Sequence, residues 1–307
     1  MYVNMEILDR NEGDVSVQYL TYRFLLESPP EVCQPLQARM AQEGFGFRYL
    51  SSRNENGHWG HWFYQPKWTC THYTLLELKN LGMPKHTHAC REMILRAFDE
   101  CMLLNGGINF AKSMVQSDVA VDGMILNYAA YFCSDEPRVE RLAEYILHQV
   151  KADGGYSWNS ESDFSDPHTT ICVLEGFSEY QKSGFTKHAD RIRASEEKAT
   201  ELLLSRLLLI SEDPRFKILS YPFRYRYDLL RALEYLAMSD RSFDGRMAPA
   251  MWWLEDKKAD SGLWHLENIH KGNVHFNLEE KGKPSRFVSL KAMFIQKTYA
   301  ESLYAEE

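Results

Sequence analysis

Asp166-Pro167-His168-Thr169-Thr170-Ile171-Cys172-Val173-Leu174-Glu175-Gly176-Phe177 reads as the start of a buried helix. Proline fits a first helical turn, where its missing N–H would have no partner, so Pro167 marks the opening position. Asp166 before it is placed to cap the helix and sets negative charge at the positive end of the helix dipole. Ile171, Val173, Leu174 and Phe177 leave few polar faces, which puts this helix inside the molecule. His168 then falls in the first turn of an inner helix, at the mouth of the packing.

The same opening recurs along the chain. When Leu76-Glu77, Leu126-Asn127, Leu174-Glu175 and Leu233-Glu234 are superposed, the residues six before each leucine are Cys70, Ala120, His168 and Tyr227. Matching Leu233 to Met293 adds Phe287 and stacks Arg286 on Arg226. The units lie 50, 48, 59 and 60 residues apart, each a Gly/aromatic loop, a more apolar helix and a more charged one. A single unit cannot bury both faces of its apolar helix, so neighbours must stack.

Periodicity and helix breakers predict helices over 15–27, 31–43, 69–81, 86–104, 118–132 and 137–151. Further helices are expected from Pro167, over 188–210, 222–238 and 246–258, and from Ser285, with a long loop over 44–67 and a loose lead-in over 1–13. No segment alternates convincingly as a strand. The expected fold is all-α: an α/α toroid of five to six helical hairpins in inner and outer rings, forming one domain over 1–307. The aromatic loops favour a closed ring over an open solenoid, because they would converge on one end of a central cavity.

A chain of 307 residues, 44% hydrophobic, is long enough for a sizeable core. Its formal charge of −8 argues against a general nucleic-acid or membrane-surface binder. Six cysteines without a CxxC pair read as reduced thiols, and Met1 to Asp14 carries no apolar signal core, so the expected location is cytoplasmic. No run approaches a membrane span. Seven Trp, 17 Tyr and 16 Phe suit an aromatic-lined cavity or a heavily packed interior. The expected partner is a small molecule, and nothing in the sequence sets the oligomeric state.

Gly57-His58-Trp59-Gly60, Gly155-Tyr156-Ser157-Trp158 and Gly262-Leu263-Trp264 each lead toward an apolar stretch. With Lys67-Trp68-Thr69-Cys70-Thr71-His72-Tyr73-Thr74-Leu75-Leu76-Glu77-Leu78 and Lys283-Pro284-Ser285-Arg286-Phe287, they resemble the prenyltransferase and squalene-cyclase repeat superfamily, above all its uncharacterised bacterial single-domain members. The resemblance covers roughly residue 50 onward and implies the α/α toroid. It implies no one reaction, since that fold hosts cyclases, protein prenyltransferases and proteins without assigned chemistry. The protein prenyltransferase β subunit binds zinc through Asp-x-Cys at the start of one inner helix and a His opening the next. By resemblance Asp118 and His168 stand at the Asp and His places, but Ala120 stands at the Cys place. Asp122 or Cys172, one turn further on, would have to substitute. The class II cyclase signature Asp-x-Asp-Asp is absent; Asp163-Phe164-Ser165-Asp166 is Asp-x-x-Asp in a loop.

Among candidate functional residues His168 leads: at a helix N-terminus facing a cavity it is expected to be neutral and to serve as base or ligand, against a plain hydrogen-bonded interior histidine. Asp118 and Asp122, i and i+4, read as acid/base groups or metal ligands, or in the case of Asp118 as a cap. Arg224, Tyr227 and Asp228 sit in what reads as the opening turn of a helix, with Arg286 facing the same region; they suit a carboxylate or phosphate ligand, or else an ion-pair ring between repeats. Trp68, His72 and Tyr73, with Trp59, Trp62, Trp158 and Trp264, would line the rim or pack loops on helix ends. Cys70 and Cys172 lie near helix N-termini, where a thiol can be acidified. His265, His270 and His275 form a weak metal signal. Three functions fit: a pocket acting on a small organic, isoprenoid or anionic ligand, with His168, Asp118, Tyr227 and Asp228 as chemistry; a non-catalytic scaffold; or a carbohydrate-active toroid using Asp118 and Asp228.

Overall fold

The computed structural model of the protein describes residues 13–111 and 116–305; apart from Gly13, the expected lead-in lies outside the described residues. The helices are α1 (Val15–Leu20, continued by a π-helical turn Thr21–Leu25), α2 (Pro30–Arg39), α3 (Gly44–Ser51), α4 (Thr71–Leu81), α5 (His88–Cys101) and α6 (Val119–Phe132). After them come α7 (Pro137–Leu147), α8 (Pro167–Lys182), α9 (Ala189–Ser205), α10 (Leu229–Met238), α11 (Ala248–Asp256) and α12 (Arg286–Ala305). Among the described residues there is no strand, only isolated bridges such as Lys258 with Trp264.

Aspartates set where the inner helices begin. Asp118, Asp166 and Asp228 each accept a backbone N–H of the first turn, from Ala120, Thr169 and Arg231, at 2.8–2.9 Å. Gly82, at φ +86°, ends α4 in the left-handed conformation that a β-carbon would disfavour. Between caps the inner helices are largely buried, polar residues such as Thr74 and Thr170 included, and Leu76, Leu126, Leu174 and Leu233 all lie in the core.

Neighbour relations close into a ring. α4 packs on α6, α6 on α8, α8 on α10, α10 on α12, α12 on α1, and α1 returns to α4. Outside the ring α7, α9 and α11 each pack against the inner helix before them, and α5 packs against the inner helix after it, α6. The molecule is an α/α toroid.

Two stretches differ from the sequence reading. Residues 44–51 form α3, although two glycines weaken the helical signal there; tertiary packing overrides propensity, with Gly46 pressed against the Met40 carbonyl and Met83. The helix expected from Pro222 starts only at Leu229, because Arg224 adopts φ +55° and the chain turns there, Arg226 N–H bonding the Phe223 carbonyl at 3.0 Å. Arg224 to Tyr227 are therefore loop residues.

Candidate functional site

The amino ends of the inner helices do not all meet at one hollow. Over α4 they are filled by aromatic packing: Trp68, buried, lies 4.9 Å from Tyr73 and 5.9 Å from His270 between ring centroids, and its indole N–H donates to the Lys271 carbonyl at 2.7 Å. Tyr49 packs on His275 and Phe276 beside them. The long loop before α12 thus plugs this end.

What remains open there is a pocket of about 280 Å³ between the first turns of α6 and α8. Asp118 and His168 both line it, with Tyr64, Lys67, Trp158 and Tyr225 around an apolar wall of Ala120, Val121 and Met124. The Lys67 ammonium sits 4.6 Å over the Tyr225 ring and 4.8 Å over Trp68. Trp158 is 61% exposed and forms the outer lip. Burial raises the Asp118 pKa against the two backbone N–H groups it caps.

His168 has a defined tautomer. Its Nδ1 accepts the backbone N–H of Tyr227 at 2.8 Å, so in the neutral ring the proton resides on Nε2. Burial lowers its pKa, and protonating Nδ1 would set two donors against each other. The ring is a hydrogen-bond donor through Nε2 rather than a base.

The other candidates are dispersed. Tyr227 is buried with its hydroxyl on the Leu208 carbonyl at 2.7 Å. Asp228 is buried as the cap of α10, and so faces no pocket with Asp118. Arg286 is exposed and lines a separate groove with Asp14 and Glu279, away from His168. Asp122 is fully buried and anchors a loop, accepting from Ile108 N–H at 2.8 Å and the Ser117 hydroxyl at 2.6 Å. His72 is fully buried with Nδ1 3.2 Å from the Tyr128 hydroxyl, and the Tyr73 hydroxyl bonds Tyr64 at 3.1 Å. Trp59 and Trp264 pack loops, donating to the Tyr49 and Leu254 carbonyls. Neither Cys70 nor Cys172 is acidified: burial pushes both thiols up to about 12.

No family model matches the sequence, and no curated protein matches it. Among solved structures, the chain is similar to the type II terpene cyclase MstE from Scytonema in its apo form (TM-score 0.34, 14% identity, 83% of this chain and 95% of that one). A variant of that cyclase in complex with geranylgeranyl dihydroxybenzoate as substrate gives a TM-score of 0.33 at 14% identity, over 84% of this chain and 95% of that one. Likeness at this level transfers neither reaction nor ligand.

The zinc site that the family resemblance implies does not fit these residues. Among the described residues no three His, Cys, Asp or Glu side chains gather closely enough to hold an ion. A metal on His168 Nε2 would force the proton onto Nδ1, against the Tyr227 N–H. The Cys172 thiol faces the Tyr225 carbonyl and the Arg231 guanidinium, and Ala120 offers no donor.

The sequence reading expected a central cavity but, Arg224 apart, did not name as candidates the residues that wall the lumen. Its walls are stripes at i, i+3, i+4 and i+7, such as Arg231, Glu234, Tyr235 and Met238 on α10. That spacing, polar on otherwise apolar helices, was the available signal.

Proposed function

We propose that this toroid binds a small aromatic or isoprenoid molecule carrying a carboxylate or hydroxyl in the pocket between α6 and α8. The observation that supports it best is the convergence of His168 and Asp118, from two different inner helices, on one aromatic-walled pocket with a lysine beside it. In this reading the ligand's body lies against Val121, Met124, Trp158 and Tyr225. His168 Nε2–H donates to its oxygen, Lys67 balances negative charge, and Asp118 accepts from a ligand hydroxyl. The volume, just below the ~300–1,000 Å³ typical of ligand sites, limits the occupant to a compact molecule.

A thermal-shift screen of substituted benzoates, short prenyl alcohols and sugars tests this, because a ligand of the native state raises stability. Benzoates or prenyl alcohols are expected to raise Tm, and His168→Ala to abolish the response while Asp118→Asn, which keeps an acceptor for the cap, weakens it. A flat response to the whole panel, or one untouched by His168→Ala, sinks the reading.

A further inference from the structure

The lumen opens at the opposite end of the ring, among the carboxyl ends of the inner helices. It comprises a hollow of about 390 Å³ and an adjoining deeper one of about 110 Å³, which share Lys79, Glu179, Lys182, Tyr221 and Lys291 in their walls. Seven Lys and Arg side chains line the two, against three glutamates. Three cations are matched: Arg231 to Glu175 at 2.7 Å, Lys79 to Glu179 at 3.0 Å, and Lys291 to Glu234. Among the described residues the other four, Arg23, Lys85, Lys182 and Arg224, have no carboxylate within ion-pair distance. An acidic chain thus carries an electropositive interior.

Cations near helix carboxyl ends also serve the helices, and Lys182 does so by donating to the Met238 carbonyl at 2.6 Å. Arg224 has no such role. It lies on the floor, 5% exposed, with its guanidinium 4.3 Å over Trp68 and with Nε and one terminal nitrogen unpartnered. A buried guanidinium missing partners is costly, and its backbone is held at φ +55°, where an L-residue is disfavoured. Glu77, buried and coupled to it electrostatically, has neither carboxylate oxygen bonded and is pushed up to about 7 by burial, so near neutral pH it is only partly ionised and offsets only part of the Arg224 charge. The opposite wall is apolar: Leu20, Phe24, Phe287, Leu290 and Phe294, with Phe24 and Phe294 5.6 Å apart.

We infer that the lumen is a second site, independent of the pocket at His168, for an anionic amphiphile. Its phosphate or carboxylate head is held on the floor by Arg224, and its apolar body lies along Phe24, Leu290 and Phe294. The deep hollow takes a head group and little else, the wider one takes the body, and Arg23, Lys85 and Lys182 at the mouth draw the anion in.

Calorimetric titration of the full chain with octyl phosphate, octanoate, octanol, octylammonium and inorganic phosphate tests this. Octyl phosphate or octanoate is expected to bind about tenfold or more tighter than octanol, with octylammonium and inorganic phosphate weaker still. Which of the two anions is preferred identifies the head group. Arg224→Met is expected to erase the advantage over octanol. Leu290→Trp, which fills the lumen without changing charge, is expected to abolish binding of every amphiphile with the far-UV circular dichroism unchanged. His168→Ala is expected to leave octyl phosphate binding intact, so failure here and failure of the His168 pocket are separable. Equal binding of octylammonium and octyl phosphate, or undiminished octyl phosphate binding in a folded Leu290→Trp or Arg224→Met protein, overturns the inference.

Discussion

The backbone N–H of Tyr227 donates to Nδ1 of His168 at 2.8 Å, joining the turn before α10 to the first turn of α8. One hydrogen bond therefore fixes both the orientation of the imidazole and the nitrogen that carries its proton. It also places His168 across two neighbouring units of the ring, so the pocket depends on their relative position.

Nitrogen NMR of the ring checks that tautomer. His168 is expected to show Nε2–H and to titrate below the ordinary histidine value near 6.5, because burial opposes the charged form. A depressed folded pKa means that the stability it contributes is present above 6.5 and is lost on acidification. An Nδ1–H signal, or titration above 6.5, would remove the donor role assigned to it.

Gly123 and Gly176 let α6 and α8 approach at van der Waals distance. A β-carbon on Gly176 would lie 2.5 Å from the Gly123 carbonyl oxygen, and one on Gly123 2.8 Å from the Cys172 backbone. Alanine is the better helix former by about 1 kcal/mol, yet the clash is with backbone that cannot step aside. Gly176→Ala is expected to destabilise by about 1–3 kcal/mol in urea unfolding. A stabilised variant would mean that the helices are further apart.

The inner ring was legible in sequence because burial and capping are local. Leu76, Leu126, Leu174 and Leu233 line up by spacing alone, and Asp166-Pro167 announces its helix by chemistry that needs no partner. His168 followed from that register and Asp118 from its place as a cap and from the family resemblance, and both line one pocket. What stayed hidden depends on long-range fit. The turn at Arg224 is set by a positive φ that Arg-Tyr-Arg-Tyr does not advertise. The plug over α4 comes from residues about 200 positions away, as in the bond from Trp68 to Lys271. Once those ends are filled, Asp228 and Tyr227 are left as interior supports rather than pocket walls.

Buried titratable groups give the toroid a pH signature. Burial raises Asp122 to about 8 and Asp228 to about 7, and lowers His72 to about 3 and His270 to about 4. A raised carboxyl contributes stability that is full below the unfolded value near 4 and is lost as pH climbs through the folded one. The lowered histidines act in reverse, losing stability as pH falls from about 6.5. From 6.5 to 8 the folded imidazoles are neutral while the unfolded ones shed their remaining protons, a small gain that fades by about pH 7.5, and the raised carboxyls act throughout. Stability is expected to decline across that interval, with Asp122 contributing on the order of 1–2 kcal/mol. Asp122→Asn removes the ionisation and is expected to flatten the decline in Tm between pH 6.5 and 8. An unchanged slope would mean that Asp122 is already ionised in the folded protein.

Arg231 and Glu175 form the best-defined ion pair of the interior. Two guanidinium nitrogens of Arg231 donate to the two Glu175 oxygens at 2.7 Å each, a third bonds the Arg226 carbonyl at 2.8 Å, and Arg231 is 2% exposed. A buried pair recovers its desolvation cost only while both partners remain. Glu175→Gln leaves the guanidinium uncompensated and is expected to cost about 3 kcal/mol or more. Arg231→Met with Glu175→Leu removes both charges and is expected to be less harmful than either single change, since two apolar groups of similar size need no pairing. A double-mutant cycle by urea unfolding separates these outcomes. Additive losses would mean that the two side chains are anchored independently, and the link they make between α8 and α10 would then lie in the apolar packing around them.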